Sequence, residues 1–256
     1  MNIGFFDSGV GGATIFKEAI KEINEDFYYF ADNKNAPYGV KEIKEVKRFS
    51  LNAVELLIKK GCKIIVVACN TATSVAINEM REKYPDIIFI GTEPAIKLAK
   101  DASYKKRVLV VATSITIKGE KLLTLVDRLS MNDCIDTLAL DKLVEFAEKG
   151  NVDGEEVCLY LKSKLNHLDL NNYSHIVLGC THFPLFKSNF KEVIPRDIVL
   201  LDSCKGVISN LKNNLNDNIS NTNNSKINLI LSKQDAHFVE NFKGIIENKN
   251  VNIEVI

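Results

Sequence analysis

The chain has no excess of charge, because its 33 basic and 33 acidic residues cancel. A balanced chain has no global attraction for nucleic acid or anionic lipid, which leaves at most a local basic patch. No apolar run approaches the roughly 20 residues needed to span a bilayer. Met1 leads into Ile3-Gly4-Phe5-Phe6, a stretch too short and without the basic lead of a signal peptide. These absences lead us to expect a soluble, cytoplasmic protein with no membrane or nucleic-acid partner. There is also no C-x-x-C pair among the six cysteines, Cys62, Cys69, Cys134, Cys158, Cys180 and Cys204. That removes the zinc-ribbon and thioredoxin-type signatures, and scattered thiols without a secretory signal are expected to be reduced. Most should be small buried hydrophobes.

At 256 residues, 46% hydrophobic and 26% charged, the chain has room for one large domain or two smaller ones. Apolar runs bounded by glycine or polar residues read as buried parallel strands at Ile3–Phe6, Phe27–Phe30, Ile64–Ala68, Ile87–Ile90, Val108–Ala112, Ile176–Leu178 and Ile198–Leu201. Between them, apolar residues at three- and four-residue spacing predict helices over Ala13–Ile23, Ile43–Lys60, Ala72–Lys83, Ile117–Leu129, Lys142–Lys149 and Glu155–Leu165. This alternation predicts an α/β fold with parallel sheets and a site beyond the C-terminal ends of the strands.

Two segments repeat each other. Ile64 to Thr71 and His175 to His182 each read as an apolar strand, a small residue, a cysteine and polar residues. A weaker match links the first strand and its Asp7-Ser8 turn with Val108–Ala112 and its Thr113-Ser114 turn. Two similar parallel-sheet α/β domains with pseudo-twofold symmetry follow, each presenting one cysteine to the cleft between them. We expect the first to comprise residues 1–95 plus 205–256 and the second residues 96–204. Seven of the twelve residues in Asn213–Asn224 are asparagine, which reads as a surface connection and not a catalytic element. Beyond it Lys226–Leu231 and Val251–Ile256 read as strands and Ala236–Glu247 as a helix, packing back on the first half.

The loop Asp7-Ser8-Gly9-Val10-Gly11-Gly12 offers amides to an anion at a helix N-terminus. No Gly-Lys-Ser/Thr follows, and Thr14 occupies the last glycine position of a dinucleotide fingerprint, so a nucleotide site has little support. The cysteines have a sharper rationale. Inverting an α-carbon requires one group to take its proton and another to return one on the opposite face, one thiolate and one thiol. A thiol near a helix N-terminus is expected to have a lowered pKa. Cys69 and Cys180, matched in two facing halves, supply such a pair, with Asn70, Thr71, Thr181 and His182 beside them. Alone, each reads as a packed thiol, Cys69 as a hydrolase-type nucleophile, or Cys180-Thr181-His182 as half a metal site lacking its second cluster.

Four motifs carry a resemblance: Phe6 to Gly12, Ala36-Pro37-Tyr38-Gly39, Ala68 to Thr73, and Gly179 to Leu185. In this order over residues 1–205 they resemble the glutamate racemases of the aspartate/glutamate racemase family. The resemblance implies interconversion of L- and D-glutamate for peptidoglycan synthesis, no cofactor, and a homodimer, while the lack of a metal-ligand cluster in the sequence leads us to expect no metal. It makes Cys69 and Cys180 the acid/base pair, with Asp7 and His182 assisting their respective thiols. Asp7, Ser8, Pro37, Tyr38, Gly39, Cys69, Asn70, Thr71, Cys180, Thr181 and His182 become substrate contacts or supporting groups. The family's second-domain glutamate matches Glu148, with Glu145 as a rival, and Asp32 matches an acidic residue that contacts or merely supports the Pro37 loop. Aspartate racemase is the nearest alternative. In that relative the second motif tends to read Gly-Cys-Thr-Glu, whereas His182 follows Thr181 here. Donors for the side-chain carboxylate are expected from Pro37-Tyr38-Gly39, Thr181 and the helix start after Cys180.

Overall fold

Fully buried strands need no alternation of polar and apolar residues, and the apolar runs of this chain form such strands. The computed structural model describes residues 1–102, 106–215 and 225–256. In chain order the elements are β1 (Asn2–Asp7), α1 (Ala13–Glu22), β2 (Asp26–Ala31), α2 (Ile43–Lys59), β3 (Ile64–Val67), α3 (Asn70–Lys83), β4 (Ile88–Gly91) and α4 (Ile96–Ala102). They continue with β5 (Arg107–Ala112), α5 (Ser114–Lys118), α6 (Glu120–Arg128), β6 (Ile135–Ala139), α7 (Asp141–Glu148), α8 (Glu155–Leu165) and β7 (Tyr173–Leu178). The rest are α9 (Lys187–Val193), β8 (Val199–Leu201), α10 (Cys204–Asn214), β9 (Ile227–Leu231), α11 (Ala236–Ile246) and β10 (Asn252–Val255).

The strands build two all-parallel sheets, ordered β10-β9-β2-β1-β3-β4 and β6-β5-β7-β8. The segment β2-β1-β3-β4 of the first has the same order as the whole of the second. The repeat in the sequence is thus a structural one, with β1 matching β5 and β3 matching β7. In both sheets the winding direction reverses between the matched pair, and such switch points open a crevice beyond the strand ends. Asp7 ends β1 and Cys69 follows β3 in one sheet, and Thr113 and Cys180 follow β5 and β7 in the other.

Each sheet is packed on both faces. Phe5, Phe16, Phe27, Tyr29 and Phe242 fill one side of the larger sheet, with edge-to-face ring contacts between Phe16 and Phe5, Phe27 and Tyr29. Phe6, Phe30, Tyr38, Leu57 and Met80 fill the other. Each such ring or chain removed from water contributes about 1.5–3 kcal/mol. This two-sided core fixes the strand ends that carry the site. The tail packs back as expected, β9 pairing with β2 and β10 with β9.

Four local readings need correction. The helix expected over Ile117–Leu129 is two helices, α5 and α6, joined at Gly119. A side chain there would come within 2.4 Å of Ser74 Oγ on α3, so the break lets α3 approach closely. Strand β6 was missed because its residues are half-exposed and form no continuous apolar run. Helices α4, α9 and α10 were also missed; they are short or flanked by polar residues. Asn213 and Asn214 close α10, whereas residues 216–224 of the asparagine-rich segment lie outside the described residues.

Candidate active site

Cys69 ends the β3 run and caps α3, its Sγ accepting from the Ala72 N–H at 3.4 Å. The next residue, Asn70, turns its amide to the Thr92 carbonyl at 3.0 Å. Ser8 Oγ lies 3.7 Å from Cys69 Sγ and 3.5 Å from Asp7 Oδ1. Cys180 follows β7 after Gly179, where a side chain would press on the Val111 carbonyl at 3.0 Å. A single turn of 3-10 helix over Phe183–Phe186 then begins, so the expected α-helix start after Cys180 is replaced by this shorter element. His182 Nδ1 is 3.6 Å from Cys180 Sγ, and its Nε2 is 2.6 Å from Glu148 Oε1.

The two halves interlock through these groups. Thr181 donates its hydroxyl to Asp7 Oδ2 at 3.0 Å, and the Val10 N–H donates to Glu148 Oε1 at 2.9 Å. The glycines of the loop allow this fit. A side chain at Gly9 would fall 1.7 Å from Glu148 Oε1, and one at Gly11 would fall 2.4 Å from His182 Nδ1. The Gly9 N–H closes back on Asp7 Oδ1 at 2.9 Å. Loop glycines expected to serve a turn therefore also admit the other half.

The two thiols have different neighbours, Ser8 and Asp7 for Cys69 and His182 for Cys180. Burial, reinforced by the Asp7 charge, pushes the Cys69 thiol up to about 12, overcoming the opposing Ala72 N–H and Ser8 hydroxyl. This corrects the expectation of a lowered pKa at the start of α3: one weak N–H donor does not outweigh desolvation and a neighbouring carboxylate. Asp7 is itself raised to about 6 by burial, against the pull of His182 and the Gly9 N–H. Burial works against a charged His182, yet its bonds to Cys180 and Glu148 hold it well above the usual histidine range. An imidazolium that donates from Nδ1 toward Cys180 and from Nε2 to Glu148 satisfies this geometry.

Most residues singled out from the sequence converge here: Asp7, Ser8, Cys69, Cys180, Thr181, His182 and Glu148 form one connected cluster. Glu145 is exposed, so packing selects Glu148. Pro37 leads into a 3-10 turn over Tyr38–Val40, and Gly39 in that turn faces the other half, where a side chain would come 2.9 Å from Thr113 and 3.1 Å from Asp141. Two expected donors are already engaged. Tyr38 gives its hydroxyl to Asp32 at 2.7 Å, and Thr181 gives its own to Asp7. Asp32 also accepts from Asn35, so it supports the Pro37 loop.

Sequence reasoning missed Thr113 and Thr116 as site groups. Thr71 Oγ1 lies 2.9 Å from Thr113 Oγ1, which lies 3.0 Å from Thr116 Oγ1, a chain of hydroxyls joining the halves. Its only trace in the sequence was the weak match between the Thr113-Ser114 and Asp7-Ser8 turns. Cys180, Thr181 and Asn70 also border a cavity of about 280 Å³ that extends to Thr92, so there is free volume beside this buried thiol.

The pattern of aspartate/glutamate/hydantoin racemases matches residues 14–209. The chain belongs to this family. It is 45% identical over 249 residues to a glutamate racemase of Clostridium botulinum (strain Alaska E43 / Type E3), covering 96% of each chain. It is 47% identical over 218 residues to one of Campylobacter curvus (strain 525.92), covering 82% of each. Among solved structures it resembles glutamate racemase from Francisella tularensis subsp. tularensis SCHU S4 in complex with D-glutamate. The TM-score is 0.88 at 26% identity, over 100% of this chain and 97% of that one. Family membership makes the chain an isomerase of the racemase type. Among the described residues no helix is long and apolar enough to cross a membrane.

Proposed function

We propose that this family member is a glutamate racemase in which Cys69 and Cys180 exchange protons with the α-carbon from opposite faces. The observation that carries the proposal is their placement: matched thiols at the switch points of two matched sheets, held across a shared hydrogen-bonded cluster. Glutamate rather than aspartate is favoured by the names of relatives at 45–47% identity over most of the chain.

One thiolate removes the α-proton while the opposite thiol delivers its own, and the electron pair left on the α-carbon takes up the new proton. Neither sulfur is oxidised or reduced, and the proton count is unchanged. Cys69, with its raised pKa, is suited to hold a proton at rest and deliver it. The Cys180–His182–Glu148 line is suited to accept one, the imidazolium compensating negative charge on sulfur. For the opposite enantiomer the roles reverse, and Ser8 and Asp7 offer Cys69 a partner for its proton. The substrate carboxylates find donors in the amides at the start of α3, the Tyr38-Gly39 backbone and the Thr71–Thr113–Thr116 hydroxyls.

Sheet membership supports taking residues 1–95 plus 205–256 and residues 96–204 as the two units that meet at this site. The homodimer, the independence from cofactor and the supply of D-glutamate for peptidoglycan rest on the resemblance, and the cytoplasmic location and the independence from metal on the sequence reading.

The test is an assay with each enantiomer of glutamate and aspartate. Both glutamates should racemise with equal kcat/KM, since enantiomers are equal in free energy. Aspartate is expected to be weaker by at least the roughly 10–200-fold that one missing methylene can impose. Its shorter reach either leaves the carboxylate donors unpaired or drags the α-carbon off the line between the thiols. Equal or better kcat/KM for aspartate would overturn the assignment to glutamate.

A further inference from the structure

Tyr29, on β2, is buried in a core of aliphatic and phenylalanine side chains, its ring against Phe16 and Phe242. Packing alone would be served equally well by phenylalanine, so the hydroxyl calls for its own account. It donates to the Gly9 carbonyl at 2.9 Å. Burial, with Asp7 and Glu148 nearby, holds the phenol well above its usual pKa, so it remains a neutral donor.

The Gly9 carbonyl and the Val10 N–H are two ends of one peptide unit. The carbonyl accepts from Tyr29, and the N–H donates to Glu148 Oε1 at 2.9 Å. Glu148 Oε1 in turn holds His182 Nε2 at 2.6 Å, and His182 Nδ1 lies 3.6 Å from Cys180 Sγ. A planar, resonance-stabilised peptide bond couples its two ends. A donor on the carbonyl fixes the plane and polarises the N–H, strengthening the bond on the far side. Tyr29 belongs to the larger sheet and Glu148 to the end of α7 beside the smaller one, so this peptide connects the two halves.

We propose that Tyr29 is a positioning residue: through the Gly9–Val10 peptide its hydroxyl orients Glu148, and through Glu148 the His182–Cys180 pair. This inference rests on the racemase reading above for its effect on turnover, but not for its effect on the peptide. The loop also explains why the contact is unforgiving. A side chain at Gly12 would come 2.7 Å from Tyr29 Oη, so the hydroxyl occupies a space that the loop leaves only by being glycine.

The experiment is a double-mutant cycle with Tyr29→Phe and Glu148→Leu, read as kcat and KM for L- and D-glutamate. Tyr29→Phe is expected to lower kcat roughly tenfold, with KM changed by no more than about threefold. In the Glu148→Leu background the same substitution should change kcat by less than about twofold, because no side-chain acceptor for the Val10 N–H remains. Replacing Tyr29 by p-aminophenylalanine, which restores a donor at the same place, should recover most of the activity. Amide NMR gives an independent reading: the Val10 N–H resonance should move upfield in Tyr29→Phe as its hydrogen bond weakens. If Tyr29→Phe does not fold, 3-fluorotyrosine at position 29 enters the same cycle. A stronger donor should then alter kcat only where Glu148 is present. Additive effects in the cycle, or an unmoved Val10 resonance, would overturn the proposal. Absence of racemisation in the unaltered protein together with a shifted Val10 resonance would instead sink the functional reading and leave the peptide coupling intact.

Discussion

Cys69→Ser and Cys180→Ser are each expected to lower kcat/KM for glutamate by roughly 10³-fold or more while leaving the fold unchanged. A positioned acid or base contributes about 10²–10⁴-fold, and serine fails in both roles: its hydroxyl gives up a proton far less readily than a thiol, so neither a ready acid nor its basic form is available. The substitution is nearly isosteric in a buried setting, both cysteines being at most 6% exposed, so circular dichroism and Tm should change little. The loss must be equal in both directions when read as kcat/KM, whichever cysteine is replaced, because the equilibrium mixture stays racemic. Differences between the two variants show only in kcat and KM separately. Near-normal turnover in either variant would remove that sulfur from the mechanism.

The second large effect is expected at Asp7. Burial lifts this carboxyl to about 6, so it is a carboxylate above that pH and takes up a proton as the pH falls through it. If the carboxylate form keeps Cys69 charged with its proton through Ser8, kcat/KM should fall by about tenfold per pH unit below 6. Asp7→Asn should lose roughly 10²-fold at pH 8 and should no longer show that acid limb. Its stability should move the other way. A carboxyl whose folded pKa is raised favours folding while protonated and costs stability once ionised, so the cost grows between the usual carboxyl range and about 6. At pH 8 the full cost is present, of the order of 1–3 kcal/mol. Asparagine avoids it, so thermal denaturation at pH 8 should place Asp7→Asn above the unaltered protein in Tm. A variant less stable at pH 8 and as active as the original would contradict this account of Asp7.

The elements that could be read from sequence are those whose physics is local. Buried parallel strands announce themselves as apolar runs, and the repeat of cysteine at the same offset in two of them located both thiols. β6 escaped because the half-exposed Asp136 and the exposed Thr137 break the run without breaking the strand. Glu148 and Glu145 look alike on a helix, and only the docking of the glycine loop separates them. A hydroxyl beside a site reads as a free substrate donor, yet those of Tyr38 and Thr181 are engaged within the protein. Their partners Asp32 and Asp7 come from 6 and 174 residues away in the chain, and no local pattern reveals the second. Thr113 and Thr116 gain meaning only when Thr71 reaches them from the other sheet. The raised pKa of Cys69 likewise follows from burial and Asp7, which the helix position alone does not disclose.

The central claim is that two different groups handle the proton, one on each face of the α-carbon. Its most direct test is to follow L-glutamate in deuterium oxide through the first few per cent of conversion. The two-thiol account predicts that nearly all D-glutamate formed carries deuterium at the α-carbon, since the delivering thiol brings a solvent-derived hydron. The L-glutamate still present should retain its original hydrogen. D-glutamate that keeps the protium of the L-enantiomer would mean that one group carries the proton across, and the assignment of Cys69 and Cys180 as a pair would fail.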